Sequence, residues 1–525
     1  MEKAESATAS NQSSFFGTVI GLFEPFHTTS GETFVAAMVN DYVETLSTKS
    51  KAFSLLLSKL HYENRGKVPC GTVVKDTITM IEAEAMFNGP ERKVSVRVAE
   101  ENGAIYVDLG NKEHQQVKIT AEGWEVISSD KSPIYFLRSP RMVPMAMPQK
   151  NGSLEKLWDF VNLEDKHDKI LALAWLLSTF QPNGPYPILN IQGEQGTGKT
   201  SLCKLLRELV DPSFPAIGSL PGSERDLAIS SYKTRVLAFD NISKMSDWLS
   251  DAFCRLSTGG GFATRALYTD DAEIVFDIKM PLIVNGITDL FSRNDLIERS
   301  IFLTTTPIPA DKRVPEEVIK TKWAEAKPGI IGAMFDAVSM ALKNKDMIKL
   351  KVYPRMADFV QWIVAAEPAL PWAEDTFLHE YNRNRLKSID NAIEADPVAA
   401  GIQKLIEKDG YWSSTPTELL TALSLVTSED IKRSQLWPKH ANSLSGRIHR
   451  CAPFLRERLV DIEFSKSGQR KITIISKDKK DNAAILEKIG RTFTVADEDH
   501  SQTLCHPAQS SSQLGSASLL PQHIQ

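Results

Sequence analysis

The stretch that most constrains this chain runs from Gly193 to Thr200 and reads GEQGTGKT, which fits the phosphate-binding loop pattern G-x-x-x-x-G-K-[ST]. A short apolar run, residues 187–191, precedes it, and residues 201–210 follow with apolar side chains at helical spacing. The sequence therefore predicts a buried strand, a glycine-rich loop and a helix, which is the context that a phosphate-binding loop requires.

Each residue type in this loop has a role in binding a nucleotide. Glycines let the loop wrap a phosphate without Cβ clashes, so that backbone N–H groups and the helix N-terminus face the anion. Lys199 is predicted to reach the β- and γ-phosphates and the Thr200 hydroxyl to hold Mg²⁺, so ATP and Mg²⁺ are the expected cofactors. The predicted nucleotide-binding residues are Gly193, Glu194, Gln195, Gly196, Thr197, Gly198, Lys199, Thr200 and Ser201.

A second nucleotide signal is the apolar segment that ends in Asp240, one crossover unit downstream of Lys199. A carboxylate at the end of a strand beside the phosphate loop faces Mg²⁺, so Asp240 is predicted to be a metal ligand. The next residue is Asn241, where many ATPases have a Glu that activates water; an amide orients water but does not take its proton. Glu194 and Glu273 are the alternative bases, and the sequence does not choose between them.

Length and composition place this chain among soluble proteins of several domains. Its 525 residues, 42% hydrophobic and 24% charged, are ordinary for globular protein. A net charge of −5 excludes a general attraction to nucleic acid, so any DNA contact must come from local basic patches. The sequence contains no membrane-spanning run, secretory signal or paired cysteine spacing, so a cytoplasmic protein with no membrane partner is expected.

Composition and changes in hydrophobic period divide the chain into six segments. A helical region and a small antiparallel meander are expected first, then a parallel α/β core, a helical lid and a unit of helices and strands. Lid helices are predicted at residues 315–326, 329–342, 355–366 and 372–386. The predicted segments are 1–14 (disordered), 15–150 (helices to residue 88, then the meander), 151–310 (P-loop core), 311–395 (lid), 396–480 (helix-and-strand domain) and 481–525 (mostly disordered tail).

The core carries further features in a fixed order. After the acid-tipped strand come a predicted glycine-rich hairpin over residues 256–278, a strand ending in Asn285, and Arg299 just before the last core strand. This order resembles the AAA+ core of superfamily-three helicases and, more closely, the helicase half of phage- and plasmid-type primase-helicase proteins of bacterial mobile elements. The resemblance runs from about residue 16 to 476. It is carried by residues 193–200, 239–243, 256–268, 285–287, 295–299, 355–359 and 437–439.

The resemblance implies a P-loop AAA+ ATPase that hydrolyses ATP between subunits. Asn285 would be the sensor, and Arg299 the finger that acts on the ATP of the adjacent subunit, with Arg293 as the backup finger. A homo-oligomeric ring is therefore an expected partner arrangement. With Asn241, which follows the metal-binding acid, the predicted catalytic residues are Lys199, Asp240, Asn241, Asn285, Arg299 and Arg293.

Two features depart from the family pattern. The N-terminal part shows no acidic metal-binding cluster, so priming is not predicted and a separate primase is the implied partner. The tip of the predicted hairpin is Asp270-Asp271, where related helicases present a basic residue to DNA. Because phosphates repel aspartates, DNA contact from the core would come from Arg265 or Lys279, and the alternative is that both are ordinary solvated charges.

Residues 397–476 follow a winged-helix plan of three helices and two strands joined by a polar turn. The third predicted helix, residues 441–451, and the wing carry cations, which suits phosphate contact around an inserted recognition helix. A winged helix that docks a protein is the alternative. The predicted DNA-binding residues are Arg265, Lys279, Lys439, Arg447, Arg450, Lys466, Arg470 and Lys471.

Together these inferences predict an Mg-ATP-dependent, ring-forming DNA helicase or replication ATPase of a mobile element, acting on single- or double-stranded DNA. The alternative is a nucleotide-gated DNA-binding regulator or defence ATPase with slow turnover, which Asn241 and the acidic hairpin tip favour. A third hypothesis is a P-loop kinase that acts on a small molecule. This hypothesis predicts a monomer and leaves the C-terminal unit unexplained. A mass measurement with ATP present distinguishes such a monomer from a ring.

Overall fold

The structure is a computed structural model that mixes helices with both parallel and antiparallel sheets. It describes residues 15–39, 42–242, 245–260, 262–265, 273–276, 279–286, 293–350, 352–465, 470–477 and 493–495. Its helices are Lys51–Arg65 (α1), Gly71–Phe87 (α2), Lys166–Ser178 (α3), Lys199–Val210 (α4), Glu224–Ser231 (α5), Asp247–Thr258 (α6), Asn294–Ile297 (α7), Glu316–Asn344 (α8), Ala357–Ala366 (α9), Thr376–Ala395 (α10), Pro397–Asp409 (α11), Pro416–Val426 (α12), Glu429–Arg433 (α13) and Ala441–Glu457 (α14).

The strands form seven separate sheets within the described residues. They are Phe23–His27 (β1), Thr33–Val39 (β2), Tyr42–Ser47 (β3), Val94–Ser95 (β4), Val98–Glu101 (β5), Ala104–Asp108 (β6), Gln115–Thr120 (β7), Gly123–Ser128 (β8), Tyr135–Phe136 (β9), Ile188–Gln192 (β10), Leu237–Ile242 (β11), Phe262–Arg265 (β12), Glu273–Phe276 (β13), Leu282–Gly286 (β14), Ser300–Thr304 (β15), Ile348–Leu350 (β16), Tyr411–Ser414 (β17), Val460–Ser465 (β18), Lys471–Ser476 (β19) and Phe493–Val495 (β20).

The N-terminal region contains the predicted helices and, in addition, a sheet that was not predicted. Strands β1, β2 and β3 form an antiparallel sheet with β2 in the middle, and α1 and α2 follow it. The first five residues of β2 are all buried, so the strand lacks the alternation of apolar and polar residues that identifies a half-exposed strand. The sequence analysis therefore missed this sheet, because a strand buried on both faces has no period of two.

The predicted meander is present as the four strands β5 to β8. Strands β5 to β8 pair in sequence order as an antiparallel sheet, whereas β4 pairs in parallel with β9 outside it. Arg97 separates β4 from β5; it has a positive φ of 62° and a fully buried side chain whose Nε donates to Asp211 Oδ1 at 3.1 Å. This buried ion pair ties the meander to the end of α4.

A parallel sheet at the centre of the chain positions the candidate site. Its strand order is β11-β14-β10-β15. Edge strand β15 is covered, because Asn384 Nδ2 donates to Phe302 O at 2.7 Å and Asn384 Oδ1 accepts from Phe302 N at 3.0 Å, while Asp168 Oδ2 accepts from Thr304 N at 2.7 Å. These side chains satisfy backbone groups that an exposed edge would offer to another strand.

The predicted hairpin precedes the third strand of this sheet. Strands β12 and β13 pair in antiparallel fashion, with Phe262 opposite Phe276 and Arg265 opposite Glu273. Its predicted acidic tip, Asp270-Asp271, lies outside the described residues.

The lid differs from its predicted division into short helices. Residues 315–326 and 329–342 belong to one helix, α8, which continues through Pro328. Proline removes one N–H and disturbs one turn, but residues 330–342 are largely buried and hold the helix together. Helix α10 runs to Ala395, beyond the predicted end at residue 386.

The C-terminal region contains the predicted helices and strands and one additional strand. Helices α11, α12 and α14 precede a three-stranded antiparallel sheet of order β17-β19-β18. Strand β17, between α11 and α12, was missed because it has only four residues, none of them buried. The segment predicted to be a mostly disordered tail contains β20, which pairs with β16 of the lid region. Within the described part of the chain, no helix is both long and apolar enough to cross a membrane.

Candidate nucleotide-binding site

The predicted strand, loop and helix are present as β10, residues 193–198 and α4. Gly196 and Gly198 have φ values of 80° and 82°, a left-handed conformation that suits glycine. A Cβ on Gly193 would lie 2.3 Å from Thr305 Oγ1, so only glycine fits against the segment that follows β15. The loop thus turns tightly and delivers the N-terminus of α4 to the carboxyl edge of the parallel sheet, where anions bind.

Lys199 lies across the mouth of this loop. Its Nζ donates to Gly193 O at 2.7 Å and to Glu194 O at 2.6 Å. Both acceptors are neutral carbonyls, and no carboxylate among the described residues forms an ion pair with this ammonium group. Because a phosphate oxygen carries negative charge, it adds a Coulombic attraction that the neutral carbonyls lack, so a phosphate at the loop would be the preferred partner of Lys199.

Thr200 and Asp240 come together although 40 positions separate them. Thr200 Oγ1 lies 3.1 Å from each carboxylate oxygen of Asp240. A hydroxyl beside a carboxylate offers the hard oxygen ligands that Mg²⁺ takes in nucleotide sites, with water and phosphate oxygens completing its shell. Among the described residues, no group of three or more His, Cys, Asp or Glu side chains could hold a metal ion. Thr200 and Asp240 supply oxygen ligands for part of an octahedral shell, so the pair fits a cation that water and phosphate oxygens also coordinate.

Asn285 lies on β14, between the strand of the phosphate loop and the strand of Asp240. Its side chain is 1% exposed; Oδ1 accepts from Asn241 N at 2.8 Å, and Nδ2 donates to Cys203 Sγ at 3.2 Å. Burial raises the pKa of the Cys203 thiol to about 12, so the sulfur stays uncharged. Asn285 thus connects α4, the core strand and the residue after Asp240.

Asn241 occupies a left-handed conformation, with φ 54°, at an irregularity in the pairing of β11 with β14. Asparagine tolerates this region better than most residues, and the bond from its N–H to Asn285 fixes it there. Its side chain is exposed, as is that of Glu194, whereas the side chain of Glu273 lies outside the described ones.

Arg299 lies at the opposite edge of the sheet from the phosphate loop. Its carbonyl oxygen accepts from Ile188 N at 2.8 Å, at the first residue of β10, and the loop starts after the last residue of that strand. Four residue steps along a strand span about 13 Å. The Arg299 side chain is 15% exposed and its Nη1 lies 3.2 Å from Asp295 Oδ1. The backbone of Arg299 thus lies at the amino edge of the sheet, about 13 Å from the start of the loop of its own chain.

Two further arginines surround this edge. Arg355 Nη2 lies 3.0 Å from Asp295 Oδ1, and Arg355 also pairs with Glu298. Burial favours the protonated form of Asp295, but the hydrogen bonds and charges of Arg299 and Arg355 outweigh it and lower its pKa. Arg293 pairs with Asp251 at 2.7 Å and is 39% exposed. The two predicted fingers therefore differ: Arg299 is the more enclosed and Arg293 the more accessible.

The predicted DNA-binding residues fall into three groups. Arg447 is enclosed, with Nε 3.2 Å from Asp396 Oδ2, the carboxylate that also caps α11. Lys439 Nζ donates to Lys432 O at 2.8 Å. The exposed members are Lys279, Lys439, Arg450, Arg470 and Lys471. Lys466 and the side chain of Arg265 lie outside the described residues.

A cavity of about 1020 Å³ lies between the covered edge of β15, α10 and α14. Acids and bases both line it, among them Asp168, Arg293, Lys387 and Arg450. Burial raises the pKa of Asp168 to about 6, against the lowering effect of the hydrogen bond from Thr304 N–H. Burial therefore makes the Asp168 carboxyl, which covers β15, harder to ionise than an ordinary aspartate.

Replacing Asp168 with Asn is expected to stabilise the protein more at neutral than at acidic pH. The amide oxygen of Asn still accepts from Thr304 N–H, and it does not ionise. The pKa of Asp168 is about 6 in the folded protein, above the ordinary value of 3.8. Below pH 3.8 the carboxyl is protonated in both states and costs no stability. The cost grows as pH rises from 3.8 to about 6 and is complete above that pH. Melting temperatures across this range should show the gap between Asp168→Asn and wild type widening with pH; a constant gap would contradict the assignment.

Two contacts at the loop were not predicted from the sequence. Asn162 Nδ2 donates to Thr197 O at 2.9 Å and to Thr306 O at 2.5 Å, and the hydroxyls of Thr197 and Thr305 lie 2.7 Å apart. Asn162 stands in a short connection before α3, where a lone polar residue has no pattern to distinguish it. Only the fold brings it to the phosphate loop.

Comparison with known proteins identifies two regions of the chain. Residues 154–372 match the family model described as actinomycete integrative conjugative element replication protein, and residues 398–492 match the C-terminal domain model of the same replication protein, RepA. No curated protein sequence matches the chain at a significant level. The two family matches support a role in the replication of a mobile element.

Among solved structures, two apo structures of the NrS-1 C-terminal region are similar to this chain. One has a TM-score of 0.40 and 12% identity, covering 88% of this chain and 99% of that chain. The other has a TM-score of 0.38 and 12% identity, covering 88% of this chain and 98% of that chain. Similarity at this level assigns no function.

Proposed function

We propose that this chain, whose two matched regions are those of a conjugative-element replication protein, is an Mg-ATP-dependent, ring-forming DNA helicase or replication ATPase with an AAA+ core of the superfamily-three type. Two contacts carry the proposal. Lys199 Nζ binds the backbone of the glycine-rich loop, and Thr200 Oγ1 lies against the Asp240 carboxylate. All of these groups lie at the carboxyl edge of one parallel sheet.

In this proposal the chain holds the triphosphate and positions the water that attacks it. Loop N–H groups and the N-terminus of α4 bind the β- and γ-phosphates, and Lys199 exchanges its two carbonyl partners for phosphate oxygens. Thr200 and Asp240 hold Mg²⁺, which neutralises charge on those oxygens when bound. Asn285 keeps Asn241 in its left-handed conformation, with the Asn241 side chain exposed beside the site.

The distance between Arg299 and the loop of its own chain supports hydrolysis between subunits. A ring places the amino edge of one sheet next to the carboxyl edge of the next, so that Arg299 completes the neighbouring site. To make this contact, Arg299 must release Asp295 and bind the neighbour's phosphate instead. Asp295 then keeps Arg355 as its ionic partner. The predicted trans-acting finger is thus compatible with the charges around it.

The proposed DNA contact is the C-terminal domain, for which a winged-helix architecture is proposed. Arg470 and Lys471 are exposed at the start of β19, where a wing would meet phosphates. Replacing both with Ala is expected to weaken binding of all DNA sequences alike and to reduce the logarithmic salt slope by about 2, one unit for each phosphate contact. The double variant of exposed Lys320 and Lys322 on α8 removes the same charge and serves as the control. Equal slopes in both double variants would exclude this wing as a DNA contact.

The second candidate function is a nucleotide-gated DNA-binding regulator or defence ATPase with slow turnover. It is favoured by Asn241, which holds the position after Asp240 but takes no proton from water. A strand-displacement assay run beside ATPase measurements, with and without single-stranded DNA, tests the choice. Unwinding with DNA-stimulated turnover supports the helicase; nucleotide binding with DNA-insensitive turnover and no unwinding supports the regulator.

A further inference from the structure

Asn162 lies outside the nucleotide motif yet contacts its backbone directly. It stands in the connection between the 3-10 turn Leu154–Asp159 and helix α3. Both hydrogens of its side-chain amide are used, one on Thr197 O and one on Thr306 O. A single side chain therefore joins the phosphate loop to the segment that follows edge strand β15.

The bond to Thr197 O fixes the orientation of the next peptide N–H. In a planar trans peptide the C=O of one residue and the N–H of the next point in opposite directions. When Asn162 holds Thr197 O on one side of the loop, the N–H of Gly198 must point to the other. Gly198 is the N-cap of α4, so this N–H is among the free donors that a helix offers to an anion.

The side chain of Thr197, like its carbonyl, is fixed by hydrogen bonds. The residue is fully buried, its hydroxyl donates to Glu194 O at 2.9 Å, and it lies 2.7 Å from Thr305 Oγ1. Thr305 Oγ1 in turn donates to Gln192 O at 3.1 Å. The segment after β15 thus anchors the loop at its start and its middle, and Asn162 adds a further link between the two from outside both.

We propose that Asn162 is a positioning residue that holds the phosphate loop in its anion-binding conformation before the nucleotide arrives. The inference rests on the proposed binding of a nucleoside triphosphate at this loop. A loop already arranged for its ligand loses less conformational freedom on binding. Asn162 therefore strengthens the binding of every ligand that places phosphates in the loop, whether Mg-ATP, Mg-ADP or pyrophosphate, and leaves the chemical step itself little changed.

Calorimetric titration of the full chain with Mg-ATP, Mg-ADP and pyrophosphate tests this role. Asn162→Ala is expected to raise all three dissociation constants about tenfold, in keeping with the loss of one or two neutral hydrogen bonds, and to leave kcat within about twofold. Asn162→Asp has the same shape but no donor, and its charge repels the carbonyls, so it is expected to bind more weakly still. Asn162→Ser, which regains one donor, tests for partial rescue and keeps the comparison possible if Asn162→Ala folds poorly.

The control is Asn344→Ala, which removes a bond of the same kind away from the site. Asn344 Nδ2 donates to Ala365 O at 3.0 Å and is also part-buried. It is expected to lower the melting temperature about as much as Asn162→Ala while leaving nucleotide affinity unchanged. Wild-type affinity in both Asn162→Ala and Asn162→Asp would overturn the positioning role alone. A wild-type chain that binds none of the three ligands would overturn the proposed function and this role with it.

Discussion

Lys199→Ala is expected to reduce ATP turnover by about 10²–10³-fold, the usual cost of removing one preorganised electrostatic group from a reacting centre. The ammonium now rests on the carbonyls of Gly193 and Glu194, at the mouth of the loop. Its loss removes the cation that would meet the phosphates and leaves the glycine turn, the Thr200–Asp240 contact and the buried core intact. Steady-state phosphate release and Mg-ATP affinity measure the two consequences separately.

The matched control is Lys204→Ala on the same helix. Lys204 is exposed on α4, one turn beyond Lys199, so the substitution has the same chemistry and a similar effect on helix stability. It is expected to retain wild-type turnover. If both variants keep full activity, the turnover does not arise from this loop.

Arg299→Ala is expected to lower turnover by about 10³–10⁵-fold while Mg-ATP affinity stays near that of the wild type. The size follows from its proposed role as an arginine finger, and the retained affinity follows from its distance from the loop of its own chain. Asp295 keeps Arg355 as a partner, so the substitution leaves no isolated carboxylate. Affinity and phosphate release measured on the same preparation show whether binding and turnover separate in this way.

Mixed oligomers give the sharper form of this experiment. Neither Lys199→Ala nor Arg299→Ala alone would be active, but a mixture forms some sites in which an intact Lys199 faces an intact Arg299 from the neighbour. We expect the mixture to recover a fraction of wild-type turnover, which no variant acting within one chain reproduces. Full activity of Arg299→Ala alone would remove Arg299 from the site, and Arg293→Ala would then be the variant to examine.

The part of the site that could be predicted from sequence is the part built by neighbouring residues. The loop from Gly193 to Thr200 folds as its glycines require, because each φ depends on local sterics alone. Asp240 was placed beside the loop because an apolar run that reaches an acid is a local pattern and parallel pairing brings the carboxyl ends of strands to one edge. Strand β11 itself continues two residues further, to Ile242. For these residues the local sequence is enough to predict the local structure.

The rest depends on contacts between distant residues. Asn162 and Thr305 carry no pattern, and only the fold shows that they hold the loop. Arg447 has the charge expected of a DNA contact, yet Asp396 encloses it within the domain, because the carboxylate that caps a helix also attracts a cation. Strand β2 was missed because it is buried on both faces and therefore lacks the alternation of apolar and polar residues. In each case the deciding partner is remote in sequence.

The measurement that tests the central claim most directly is the equilibrium binding of ATP to the purified full-length chain with and without Mg²⁺. We expect saturable binding that strengthens with Mg²⁺, is displaced by ADP, and is lost in Lys199→Ala but kept in Lys204→Ala. A folded wild-type chain that shows no affinity for ATP in the presence of Mg²⁺ would contradict the nucleotide site, and with it the ring, the finger and the helicase.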